Sequence, residues 1–163
     1  MVLFGSFLHF TYDLSNHNKV VGLFSAVNES TWEHIKLALT PYFIWTLVDA
    51  VRYFDNPNFF VAKLLGLLVI IVMIPLLFYG YQFFTKKTIL AVDISIFFVT
   101  ILLAQVVNYL VLKMKPFSMG IRHISITLYT VILVLYFLLT FFPIKNFLFL
   151  DPITKNYGLR GHK

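Results

Sequence analysis

Chemistry-bearing side chains are sparse in this chain and are densest in two short segments. One is Asn28-Glu29-Ser30-Thr31-Trp32-Glu33-His34-Ile35-Lys36, where Glu29 and Glu33, and likewise Ser30 and His34, stand four apart and so share helical ridges. The other is His9-Phe10-Thr11-Tyr12-Asp13, whose His9 and Asp13 are also four apart. His9, His34 and Asp13 form an N/O donor set suited to a divalent metal such as zinc or iron, leaving Glu33 or Glu29 as a general base. On this reading the protein is a metal-assisted enzyme on a lipid-type substrate, and the region of Trp32 and Phe24 is the apolar approach for an acyl chain.

Each segment also has a plain structural reading. Ser30 followed three residues later by Glu33 is a capping box, acidic residues suit a helix N-terminus, and Trp32 suits a membrane interface. A His9–Asp13 pair would equally serve to fasten the first helix to its neighbours. The chain has no Cys, no HExxH, no Gly-rich phosphate loop and no nucleophile elbow.

The elements that must position these residues follow from composition. The chain has 163 residues, 60% hydrophobic and 12% charged, which leaves too few charges to coat a soluble domain. Nineteen Phe and nine Tyr exclude intrinsic disorder, and the lack of Cys excludes a disulfide-stapled fold. Leu64 to Thr85, Ile94 to Leu112 and Ile124 to Ile144 are uncharged runs long enough to cross a bilayer as helices. With no period-2 alternation in these runs, the expected fold is all-α, a polytopic transmembrane bundle of about five helices. The expected layout is one membrane domain over 1–163. It has a short first span at 1–14, an interfacial loop at 15–30, further spans at 31–54, 61–84, 89–112 and 121–143, and a tail at 144–163.

Five spans put the Asp13 to Ser30 loop, the Lys86–Lys87 turn and the tail on one face. Lys19, Lys36, Lys86, Lys87, Lys145, Lys155, Arg160 and Lys163 belong to that face, against Arg52, Lys63, Lys113, Lys115 and Arg122 on the other. The positive-inside rule makes the motif-bearing face cytoplasmic, in a multi-pass protein of the cell membrane. The net charge of +6 is scattered among loops, so the expected partner is the lipid bilayer and no nucleic acid; the sequence does not identify a protein partner. Asp93 and Asp151, with Tyr157 near it, fall on the same face, so His9, Asp13, Glu29, Glu33, His34, Asp93 and Asp151 are expected to converge, with Asn28, Ser30 and Trp32 around them. His17, His123 and His162 are expected in solvated loops.

Two other functions fit the same sequence. A transporter would rely on Asp93, Gln105 and Asn108 along the fourth span, and a scaffold or accessory subunit would use the polar motif for capping and for a membrane partner.

The stretch Gly5-Ser6-Phe7-Leu8-His9-Phe10-Thr11-Tyr12-Asp13, the stretch Val21 to His34, and Phe149-Leu150-Asp151-Pro152-Ile153-Thr154-Lys155-Asn156-Tyr157-Gly158 carry a resemblance. Together they resemble a family of small, multi-spanning prokaryotic membrane proteins that forms a domain of unknown function. That resemblance implies no activity. It implies more hydrophobic sequence ahead of Gly5 than the four residues here, and hence a shortened first span.

Overall fold

The computed structural model describes residues 1–161, for Arg160 and Gly161 the backbone alone; His162 and Lys163 lie outside the described residues. Its helices are α1 (Val2–Leu14), α2 (Lys19–Gly22), α3 (Thr31–Tyr53), α4 (Phe59–Thr85), α5 (Leu90–Leu112) and α6 (Met119–Phe141), followed by a 3-10 turn, Gly158–Gly161. Among the described residues no strand forms; Leu150 and Tyr157 make one isolated antiparallel bridge. The chain is therefore all-α, and α4, α5 and α6 are each long and apolar enough to cross a membrane. Their outward faces display Val72, Leu76, Leu102, Val106, Ile124 and Val134, surface that suits lipid. The 23-residue α3 falls short of that apolar composition because it carries Glu33, Lys36, Asp49 and Arg52.

The chain divides into two compact units. The first contains Leu3–Pro41 and the segment from Thr130 onward, and the second contains Tyr42–Tyr129.

In the first unit α1 buries Gly5, Leu8 and Tyr12, spaced as one helical face. The chain reverses after α1 through Asn16 and His17, both in the left-handed region at φ 54° and 60°. Asn18 then caps α2, its side chain accepting from the Val20 amide at 2.9 Å. The Gly22 backbone comes so close to Tyr12 and Val27 that a Cβ there would meet Val27 Cγ1 at 2.9 Å and Tyr12 Cε2 at 3.0 Å. After α6 the chain turns back on itself, with the Asp151 carboxylate accepting from the Ile153 and Thr154 amides. This turn reaches α3: the Trp32 amide donates to the Leu148 carbonyl at 2.9 Å, and the Trp32 and Phe149 rings stack at 4.9 Å. One of the otherwise unpartnered donors at the start of α3 is satisfied in this way.

In the second unit α4 and α5 form the most extensively packed pair. Thr100, Ala104, Asn108 and Val111 line the buried face of α5, and Val61 and Ala62 of α4 pack with Val111. At the connecting turn Lys86 takes the left-handed conformation, and the Tyr81 hydroxyl donates to Asp93 while accepting from the Ile89 amide. At the other end of the pair, Asn58 is fully buried. Its amide donates to the Val111, Met114 and Lys115 carbonyls and its oxygen accepts from the Phe117 amide, closing the open C-terminus of α5.

Candidate functional site

The entry to α3 is where the polar motif acquires its shape. Asn28 Oδ1 accepts from the Ser30 amide at 2.8 Å, while its Nδ2 donates to the Gly158 carbonyl at 2.9 Å. Ser30 Oγ accepts from the Glu33 amide at 3.4 Å, the first half of the expected capping box. The second half does not form, because Asn28 already holds the Ser30 amide. Glu33 instead accepts from the Val27 amide at 3.0 Å and pairs with Lys36 Nζ at 2.9 Å.

The Glu33–Lys36 pair is buried, and Lys36 also donates to the Gly22 carbonyl at 2.8 Å. Thr40 donates to the Phe24 carbonyl at 2.7 Å and receives the Tyr136 hydroxyl. A loop running from residue 22 to 27 would otherwise bury unpaired backbone groups, and α3 supplies partners for them. Sequence spacing gives no sign that Lys36 belongs inside; the distribution of basic residues places it at a membrane face.

Above this layer the pattern changes. From Ser25 to Pro41 every residue is buried apart from Glu29 and His34. These two face each other: His34 Nε2 stands 3.6 Å from Glu29 Oε2, and His9 Nε2 of α1 stands 3.7 Å from Glu29 Oε1. The side chains of His9, Glu29 and His34 are 31%, 43% and 42% exposed, and the two imidazole centroids are 5.7 Å apart. His34 Nδ1–H donates to the Ser30 carbonyl at 2.9 Å, which fixes the ring and turns Nε2 toward Glu29. Phe10, an exposed ring on α1, meets His9 edge-on at 5.1 Å. The charge of the group is the Glu29 carboxylate, and both gaps to it are longer than a hydrogen bond.

The expected cluster is thus assembled in part. His9, Glu29 and His34 come together. Asp13 does not join them: the turn through Asn16 and His17 brings His17 Nε2 to 3.3 Å from its carboxylate, so the i, i+4 partner that His9 was expected to use is taken by His17. Glu33 lies in the buried layer below, Asp151 closes its own turn, and Tyr157 pairs with Leu150. Asp93 bonds to Tyr81 within the second unit. His123 is exposed but belongs to α6, which begins at Met119. Among the described residues no group of three or more His, Asp or Glu side chains is disposed to hold a metal ion.

The apolar approach expected from Trp32 and Phe24 also divides. Trp32 is buried beneath Phe149. Phe24 lines an apolar groove of about 460 Å³ with Phe7, Leu8, Thr11, Leu14 and Val21. At about 100° per helical residue, the midline of Phe7, Thr11 and Leu14 lies roughly 170° around α1 from His9, so this groove opens away from the polar cluster.

The family described as Family of unknown function (DUF6512) matches residues 1–159. The chain belongs to this family. Comparison with curated proteins and with solved structures finds no match.

Proposed function

We propose that the protein is a multi-pass membrane protein whose working site is His9–Glu29–His34, where the polar end of a lipid-type substrate meets a carboxylate placed for general acid–base chemistry. Glu29 is the reacting group, His34 faces it with a ring fixed through Nδ1, and His9 flanks it from α1. The observation that carries this reading is that Glu29 and His34 alone escape burial between Ser25 and Pro41, and that they face each other. Glu33, Lys36, Asn28 and Ser30 hold the loop that carries Glu29, which makes them positioning residues. A lipid-type substrate is favoured because the exposed Phe10 ring borders the cluster and because the helices that follow suit lipid contact. The motif-bearing face is assigned to the cytoplasm on the balance of basic residues.

The test is conversion of lipid by purified protein reconstituted in vesicles of a natural phospholipid extract, followed by mass spectrometry. Wild-type protein should convert at least one species, and Glu29→Gln should slow this about a hundredfold, within the range for loss of an acid–base group. An unchanged lipid profile with wild type, or an equal rate with Glu29→Gln, would overturn the reading.

A further inference from the structure

We infer that the molecule this site takes is a lipid with a primary ammonium headgroup, an inference that rests on the site reading above and narrows it. A backbone carbonyl only accepts, so the 2.9 Å contact from His34 Nδ1 to the Ser30 oxygen puts the ring proton on Nδ1. In the neutral ring His34 Nε2 then presents a lone pair to Glu29 Oε2, itself an acceptor, across 3.6 Å. Two acceptors facing each other across a gap longer than a hydrogen bond call for a donor between them.

The lysine on the same helix does not supply it. Lys36 is buried and turned to Glu33 and the Gly22 carbonyl. A primary ammonium does: it carries positive charge for Glu29 and three N–H groups, two of which can reach Glu29 Oε2 and His34 Nε2 at once. His9 flanks the carboxylate on its other side, 3.7 Å from Glu29 Oε1. A headgroup with only phosphate would be repelled by Glu29, and a trimethylated ammonium has charge but nothing to donate. Phe10, exposed and edge-on to His9, sets the cluster beside apolar surface where a lipid's chain-bearing end can lie.

Native mass spectrometry of the full chain released from phosphatidylcholine vesicles tests this. The vesicles are doped in turn with phosphatidylethanolamine, its N,N-dimethyl form or phosphatidylglycerol. Retention should be highest for phosphatidylethanolamine, fall with methylation, and drop about tenfold or more in Glu29→Gln, the cost of one charge-assisted hydrogen bond. His34→Ala should lower retention as well, and soluble ethanolamine should compete only weakly. Equal retention of ethanolamine and choline lipids would overturn the inference, as would wild-type behaviour in His34→Ala or full displacement by soluble ethanolamine. A preference for phosphatidylglycerol that Glu29→Gln abolishes would overturn the headgroup assignment and leave the site standing. Retention of every lipid unaffected by Glu29→Gln would remove both. Glu29 is half-exposed, so its isosteric variant is expected to fold.

Discussion

Both units bury polar side chains, and they differ in what is left over. In the second unit Lys63 pairs with Asp49, the Tyr42 hydroxyl meets the Lys63 carbonyl at 2.8 Å and Asn108 Oδ1 at 2.9 Å, and Tyr129 donates to Thr46 at 3.0 Å. These groups fasten α3, α4, α5 and α6 within that unit. The first unit has a layer of the same kind, built from Glu33–Lys36, Thr40–Tyr136 and Asn28 with Gly158. It alone adds an outer layer in which a carboxylate and two imidazoles are half-exposed and spaced beyond hydrogen-bond reach. In so apolar a chain, polar residue type does not mark a site. A polar group whose partners are incomplete and whose face is open does.

The comparison is broken most severely by removing one partner from a buried pair. Lys36→Met leaves Glu33 charged and enclosed, and should cost about 3–5 kcal/mol, read as a large fall in thermal stability in detergent. Lys63→Met should cost less, because the Asp49 side chain is 21% exposed and keeps some access to water. Equal losses would mean that the two buried layers are more alike in solvation than their exposures indicate.

Next in size is a packing test of the second unit. A Cβ at Gly66 would fall 2.3 Å from the Tyr42 hydroxyl and 2.4 Å from Asn108 Oδ1, whereas one at Gly80 meets nothing within 4 Å. Gly66→Ala should therefore destabilise by about 1–3 kcal/mol. Gly80→Ala, on the same helix, should be near neutral, and the difference between the two melting temperatures measures how tightly the Tyr42–Asn108 contact is held.

Asn28→Ala probes the link between layers. It removes the bonds to Gly158 and to the Ser30 amide, with an expected cost of about 1–2 kcal/mol. Because Asn28 precedes Glu29, lipid retention should fall with it. Smallest of all in stability is Glu29→Gln, expected within about 0.5 kcal/mol of wild type because the side chain is half-exposed and makes no short bond. Its effect should appear in lipid conversion and in headgroup selectivity.

The helical class was legible because uncharged runs such as Leu64 to Thr85 have no other solution in lipid. The local turn chemistry was legible in part: Ser30 and Glu33 begin a capping box, and Glu33 then leaves it for Lys36. What the sequence could not display are pairings set by chain reversal. His9 finds Glu29 twenty residues on because left-handed Asn16 and His17 send Asp13 to another partner, and Asn28 meets Gly158 across most of the chain. Lys36 and Lys63 read as face charges in the sequence for the same reason: the carboxylates and carbonyls that hold them inside come from the folded arrangement.

The most direct test sets two carboxylates of one segment against each other, Glu29→Gln and Glu33→Gln, each measured for melting temperature in detergent and for retention of ethanolamine lipid by native mass spectrometry. The account predicts that Glu29→Gln melts as wild type and loses its lipid preference, while Glu33→Gln, which strands Lys36 inside the protein, melts far lower. The reverse pattern, with Glu29→Gln unstable or Glu33→Gln stable and unselective, would contradict the assignment of Glu29 to the site and Glu33 to its support.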